Sequence, residues 1–126
     1  MIDAWIYSSC SSCKSTEAML RDSGIAFNRR DFFKERFSRD ELASLLSQAG
    51  LTTGDVLSRR SKVYQSRQDE IDQLDDDALL ALMIEEPTLL RRPIVIGDGG
   101  VVIGHNPGQL EALISANHDN PVLSKE

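Results

Sequence analysis

The stretch that decides the fold is Ile2-Asp3-Ala4-Trp5-Ile6-Tyr7-Ser8-Ser9-Cys10-Ser11-Ser12-Cys13. Its apolar first half, residues 2–7 with both aromatic side chains in the core, predicts a buried strand. The residues after Cys10 predict a helix over 11–23 that stops at Gly24. Cys10 then lies at a helix N-terminus, where unpaired backbone N–H groups and the helix dipole stabilise a thiolate. Because only two residues separate it from Cys13, the two sulfurs can form a disulfide within one turn of backbone. The motif predicts redox or thiol chemistry.

The composition predicts one soluble domain over residues 1–117 and a polar tail over 118–126. The chain has 126 residues and a net charge of −6. An acidic chain is a poor general binder of nucleic acid, because phosphates need cationic neutralisation, and no direct sequence-specific DNA binding is expected of the protein alone. No apolar stretch approaches the roughly 20 residues that span a bilayer, and the N-terminus has no secretory signal pattern. We expect a cytoplasmic protein with no membrane association.

The main alternative for the cysteine pair is a zinc site. A structural zinc site needs four ligands, and besides Cys10 and Cys13 the histidines His105 and His118 lack the short spacing of a zinc finger. We therefore expect no metal. In a reducing compartment a CxxC pair is more often catalytic or redox-sensing than a permanent crosslink.

The remaining strand signals predict an α/β protein. Residues 26–30 predict a second strand parallel to the first. Residues 94–96 and 101–103 predict a hairpin, because the Gly97-Asp98-Gly99-Gly100 segment between them accepts the positive φ values of tight turns. A last helix begins at Pro107.

Two amphipathic helices are predicted in the middle of the chain. One covers 38–50, starting at a capping box and ending at a glycine, and the other covers 75–86. The resulting order is β-α-β, a helical middle, then β-β-α, which is the thioredoxin-like layout. The predicted fold has its core at about 1–37 and 87–117, with a helical insertion at about 38–86.

The basic residues leave more than one interpretation open. Arg91-Arg92-Pro93 precedes the hairpin, and a guanidinium beside Cys10 would lower the thiol pKa, whereas a solvated arginine pair would do nothing. Arg59-Arg60-Ser61-Lys62 is the densest basic cluster and could bind an anion, an acidic protein surface or nucleic acid, or simply face solvent. His105 is a possible proton donor or an exposed turn residue.

Three segments together resemble the arsenate-reductase superfamily, and within it the Spx branch of transcription regulators. They are Tyr7-x-x-Cys10-x-x-Cys13-Lys14, Arg60-Ser61-Lys62-Val63-Tyr64-Gln65 and Pro87-x-Leu89-Leu90-Arg91-Arg92-Pro93-Ile94-Val95-Ile96. The resemblance covers about residues 2–114. The CxxC pair favours the Spx branch, because many of the reductases have a single cysteine at this turn.

The resemblance implies a thioredoxin-like fold with an inserted helical lobe. It also implies a regulator that binds the C-terminal domain of the RNA polymerase α subunit. Cys10 and Cys13 would form its disulfide switch, Arg60 and Arg92 would face the thiolate or an anion, and Pro93 would follow a cis peptide bond.

The same resemblance implies where the partner binds. The loop Thr52-Thr53-Gly54 falls where Spx proteins contact the α subunit, although its residues differ from the usual pattern. We expect this loop to be the partner-binding segment.

The resemblance also carries an alternative, an arsenate-reductase-like thiol oxidoreductase. Cys10 would be the nucleophile, Cys13 the resolving thiol, and Arg60 and Arg92 would hold the oxyanion. Glutathione or another thiol donor would regenerate the enzyme, and no other cofactor is expected. His105 lies near the position of the third arginine of the reductases, where this sequence has none.

Overall fold

The computed structural model describes residues 2–7 and 9–124, and for residues 118–124 it describes the backbone alone. Contacts divide the chain into two units. The sheet unit is Met1–Phe32 together with Arg92–Glu126, and the helical unit is Phe33–Arg91. Among the described residues, no helix has the length and apolar character needed to cross a membrane.

The sheet unit is built on four strands and two helices. In chain order they are β1 (Ile2–Ile6), α1 (Ser11–Asp22), β2 (Phe27–Asp31), β3 (Ile94–Gly97), β4 (Gly100–Ile103) and α7 (Pro107–Ser124). The strand order is β2-β1-β3-β4, with β1 parallel to β2 and antiparallel to β3, and β3 antiparallel to β4. The predicted parallel β-α-β start and the predicted hairpin are therefore confirmed, and the fold is thioredoxin-like α/β.

One core cluster of the sheet unit lies on one face of this sheet. Alternate residues of β1 point into it because successive side chains of a strand face opposite sides. Its buried members are Ile2, Ala4, Ile6, Cys13, Leu20, Val95, Val102, Leu110, Leu113 and Ile114. Cys13 is thus a core residue as well as half of the CxxC motif.

The helix α1 also buries a carboxylate that the sequence pattern did not indicate. Glu17 is buried, and its carboxylate pairs with Arg21 one turn later and, at 2.8 Å, with Nε of Arg29 on β2. A buried charge is tolerated when it is paired. This ion pair links the helix that carries the cysteines to the neighbouring strand.

The helical unit contains five helices and one 3-10 turn among its described residues. They are α2 (Arg39–Ala49), α3 (Thr53–Val56), α4 (Lys62–Ser66), α5 (Gln68–Asp72), α6 (Asp76–Glu85) and the 3-10 turn Pro87–Leu89. The predicted capping box of α2 is present, since Ser38 and Glu41 bond reciprocally, and Gly50 ends the helix at φ 72°. The predicted amphipathic helix is α6, and its residues Leu79, Leu82 and Met83 are buried.

One sequence-based expectation is wrong. Thr52-Thr53-Gly54 was expected to be a loop, but Thr52 is the N-cap of α3, and Thr53 and Gly54 form its first turn. The capping box between Thr52 and Asp55 stabilises a helix too short to show a hydrophobic period. The polar tail expected over 118–126 is the end of α7 as far as Ser124; residues 125–126 lie outside the described residues.

The hairpin between β3 and β4 is held by one buried amide. Asn117 on α7 accepts from the N–H of Asp98 at 3.3 Å and donates to the Asp98 carbonyl at 3.2 Å. It also donates to the Leu113 carbonyl at 2.8 Å. Gly97 lies against this amide, which leaves no room for a side chain there.

Replacing Gly97 with alanine should therefore destabilise the sheet unit. A Cβ at Gly97 would lie 2.8 Å from Nδ2 of Asn117 and 3.1 Å from Cγ1 of Ile2. We expect Gly97→Ala to lower the free energy of unfolding by about 1–3 kcal/mol, measured by urea denaturation. Gly100, which pairs with Gly97 across the hairpin, is the matched control, since its Cβ would approach only Leu113, at 3.8 Å. Equal stability of the two variants would contradict this packing.

Candidate redox site

The turn from β1 into α1 sets the positions of the two cysteines. Cys10 is the N-cap of α1, with φ −88° and ψ 126°. Its N–H donates to the Tyr7 carbonyl at 3.0 Å, and its own carbonyl accepts from the N–H of Lys14 at 3.0 Å. The Cys10 side chain is half-buried and that of Cys13 is buried, and both are free thiols. The pair is therefore close in space but unequal in exposure.

The surroundings of Cys10 favour its thiolate. Burial alone would raise the pKa of the Cys10 thiol, but opposing interactions together lower it below its ordinary value. The thiolate is stabilised first by the N–H and the thiol of Cys13, then by the N–H of Ser12 and the positive charge of Arg92. These are the interactions expected at a helix N-terminus beside a cation. Cys10 is thus the nucleophilic member of the pair.

The surroundings of Cys13 have the opposite effect. Burial raises the pKa of the Cys13 thiol to about 12, and the neighbouring Cys10 sulfur adds to this rise. The N–H of Tyr7, which donates to Sγ of Cys13 at 3.4 Å, and the charge of Arg92 oppose the rise without cancelling it. Cys13 therefore stays protonated at neutral pH.

The segment Arg92-Pro93 lies at the start of β3. The Arg92–Pro93 peptide bond is cis, and the Pro93 carbonyl accepts from the N–H of Gly104 at 2.7 Å. Arg92 is half-buried, and its guanidinium carbon lies 5.8 Å from the centre of the Tyr7 ring. Its charge acts on both cysteines. The sequence-predicted site residues Cys10, Cys13 and Arg92 are therefore brought together.

Tyr7 belongs to this site, although sequence reasoning assigned it to the core. Its side chain is half-buried and packs against the core cluster of the sheet unit. Its ring faces Arg92 and its N–H faces Cys13. The alternation of β1 predicts which face a side chain occupies, but it contains no information about a cation contributed by the segment before β3.

The two other predicted candidates, Arg60 and His105, are both exposed. Arg60 is an exposed residue of the helical unit, in the turn before α4. Its neighbour Arg59 lies over the Tyr64 ring, with the guanidinium carbon 6.0 Å from the ring centre. His105 is exposed, and its Nδ1 lies 2.8 Å from Oγ1 of Thr16, a buried residue of α1. Within the described part of the chain, no three His, Cys, Asp or Glu side chains come together to hold a metal.

The sequence pattern of the ArsC family matches residues 5–113. The chain belongs to the ArsC family. The match includes the CxxC motif, the helical unit and the Arg-Pro segment. The resemblance to this superfamily, seen first in three short segments, is confirmed.

Two curated relatives of this chain are named as regulators. The chain is 38% identical over 104 residues to the regulatory protein MgsR of Bacillus subtilis. This alignment covers 82% of each chain. It is 32% identical over 118 residues to the global transcriptional regulator Spx of Streptococcus mutans, covering 94% of this chain and 86% of the relative.

A solved ArsC-type structure has the same fold. The arsenate reductase from Vibrio cholerae matches with a TM-score of 0.76 and 31% identity, covering 89% of this chain and 96% of that one. The chain thus shares its fold with a protein named as an arsenate reductase, whereas its sequence relatives are named as regulators, and the fold alone does not decide between these functions.

Removing the Arg92 charge should make Cys10 less reactive. Loss of the cation raises the pKa of the thiol, so that the thiolate fraction at pH 7 falls. We expect Arg92→Gln to slow alkylation of Cys10 by iodoacetamide at pH 7 by roughly three- to tenfold, with the rates converging at high pH. Arg91→Gln is the matched control, because it removes the same charge from the neighbouring arginine, which is exposed. A slowing of equal size in both variants would show that the effect is not local.

Proposed function

We propose that this ArsC-family protein is a redox-sensing transcription regulator that acts with RNA polymerase, and that a Cys10–Cys13 disulfide is its switch. The observation that carries the proposal is the unequal pair of thiols at the start of α1, one favouring its thiolate and one protonated. The names of the relatives MgsR and Spx support the assignment to transcription regulation.

The switch can be written as a balanced reaction with a hydroperoxide as the oxidant. The Cys10 thiolate attacks one peroxide oxygen and the O–O bond breaks. The leaving oxygen takes up a proton, and Cys10 becomes a sulfenic acid. The Cys13 sulfur then attacks the Cys10 sulfur, loses its proton, and displaces water to form the disulfide. Two electrons pass from the two sulfurs to the peroxide.

Oxidation changes the charge at the start of α1. The Cys10 thiolate disappears, and the Arg92 guanidinium loses an anion that it stabilises in the reduced protein. The Cys13 sulfur, which is buried in the core of the sheet unit, becomes bonded to the helix cap. A change of charge and a new covalent constraint at one helix end are the kind of local event that a partner can detect.

We propose that the C-terminal domain of the polymerase α subunit binds the α3 segment of the helical unit. Thr52 and Gly54 are exposed, whereas Thr53 is buried and its hydroxyl donates to Asp76 at 2.9 Å. The Thr52–Asp55 capping box fixes the same turn. These bonds support a rigid, preorganised contact surface, which loses little entropy on binding.

Binding to the purified α C-terminal domain should depend on this turn. Gly54→Lys should abolish capture in a pull-down, because a large cation would occupy the contact surface. The fold should tolerate the change, since a Cβ at Gly54 meets only Oγ1 of Thr52, at 3.8 Å. Gln65→Lys, which adds the same charge at an exposed position on α4, should bind like the wild type.

The same pull-down tests the switch. Peroxide should alter capture of the wild type and leave capture of Cys10→Ala and Cys13→Ala unchanged. If neither the reduced protein, the oxidised protein nor the variants are captured, this partner is excluded. If peroxide leaves capture of the wild type unchanged, the switch is excluded.

A thiol-dependent arsenate reductase is the second candidate, favoured by the 31% identity to the Vibrio cholerae arsenate reductase. In that reaction the Cys10 sulfur would bond to arsenic as water leaves. A second thiol would then attack the Cys10 sulfur, so that a disulfide forms and arsenic leaves as arsenite with two added electrons. The candidate predicts arsenite production with glutathione as thiol donor, lost in Cys10→Ser. Equal, near-zero turnover in wild type and variant would exclude it.

A further inference from the structure

Tyr7 connects the two halves of the candidate redox site. It follows directly after β1, at the strand end from which the chain turns into α1. Its main chain contacts the cysteine turn twice. The Tyr7 carbonyl accepts from the N–H of Cys10 at 3.0 Å, and the Tyr7 N–H donates to Sγ of Cys13 at 3.4 Å. These contacts hold the residue in place whatever its side chain.

The Tyr7 side chain has a different contact. Its ring lies under the Arg92 guanidinium, with 5.8 Å between the guanidinium carbon and the ring centre. At this distance the negative face of an aromatic ring attracts a cation, and the attraction is stronger where both groups are partly withdrawn from water. Both Tyr7 and Arg92 are half-buried. The ring therefore restricts where the guanidinium can lie.

The position of the Arg92 guanidinium matters because the effect of a charge on the pKa of a thiol falls with the distance between them. An arginine side chain has many rotamers. A guanidinium surrounded by water has little effect on the pKa of a thiol several ångströms away. The Arg92 charge acts on both cysteines in this structure. A group that holds the guanidinium at the thiol pair therefore sets how strongly the cation acts on Cys10.

We propose that Tyr7 is a positioning residue of the redox site, whose aromatic face holds the Arg92 guanidinium at the cysteine turn. The inference rests on the proposed redox function, which it deepens by naming the residue that tunes the reactive sulfur. The ring does not depend on the thiolate for its attraction, so Arg92 keeps this contact when oxidation removes the negative charge from Cys10. Tyr7 thus holds the cation at the switch in both redox states.

The test compares variants that differ only in the side chain at position 7 and keep the main-chain contacts of Tyr7. The rate of Cys10 alkylation by iodoacetamide is measured across pH in the reduced full-length protein, resolved by site with mass spectrometry. Tyr7→Phe keeps the ring and should match the wild type. Tyr7→Leu keeps apolar bulk without a π face and should slow alkylation at pH 7 by about threefold, as expected for loss of one cation–π contact.

The Arg92→Gln background separates positioning from packing. If Tyr7 acts through Arg92, Tyr7→Leu should have no further effect once the guanidinium is gone, because the two changes remove one interaction. Tyr7→pentafluorophenylalanine keeps the shape of the ring but reverses the sign of its face, and should behave like Tyr7→Leu. This variant keeps the proposal testable if Tyr7→Leu does not fold.

Three results would overturn the proposal. The first is alkylation of the ring-free or fluorinated variants as fast as that of the wild type. The second is a slowing by Tyr7→Leu that persists unchanged in Arg92→Gln. The third is alkylation of Tyr7→Phe as slow as that of Tyr7→Leu. A failure of the switch itself is distinguishable, since a wild type that forms no Cys10–Cys13 disulfide with peroxide leaves the alkylation comparison intact.

Discussion

The placement of two sulfurs in different surroundings within one helical turn is the constraint on which the site depends. Cys10 caps α1 and meets backbone N–H groups, whereas Cys13 points into the core of the sheet unit. The first environment stabilises an anion and the second opposes one. The result is a pair in which the thiolate is favoured at Cys10 and the thiol stays protonated at Cys13.

The sheet makes this placement possible. Because β1 pairs with both β2 and β3, its end is fixed from both sides, and the turn into α1 begins from a rigid point. The antiparallel pairing of β1 with β3 brings Arg92-Pro93 to the same region as the cysteines. The ion pair of Glu17 with Arg29 then ties α1 to β2. A reactive group is most precise when it is carried by such rigid elements.

Features with short-range signals could be predicted from the sequence. The Ser38 capping box, the stop at Gly50 and the N-cap position of Cys10 each depend on a few neighbouring residues, and all are present. The β3–β4 hairpin was predicted for the same reason, since its glycines lie within the turn itself. The family resemblance rested on three such local segments.

Features that depend on distant residues could not be predicted in this way. The Tyr7–Arg92 and Thr16–His105 contacts join the first part of the chain to the last, and no periodicity indicates them. Burial of Glu17 depends on an arginine from another element. The helix α3 has only four residues, too few for a hydrophobic pattern, so the sequence predicts a loop at Thr52-Thr53-Gly54 where the structure has a helix start.

The most direct test of the central claim is a site-resolved titration of the reduced protein, with both cysteines labelled at Cβ and followed by carbon NMR. The account predicts that Cys10 ionises below the ordinary pKa of a thiol, while Cys13 stays protonated until the pH approaches about 12. Two thiols that titrate together at the ordinary value, or a Cys13 that ionises first, would contradict it.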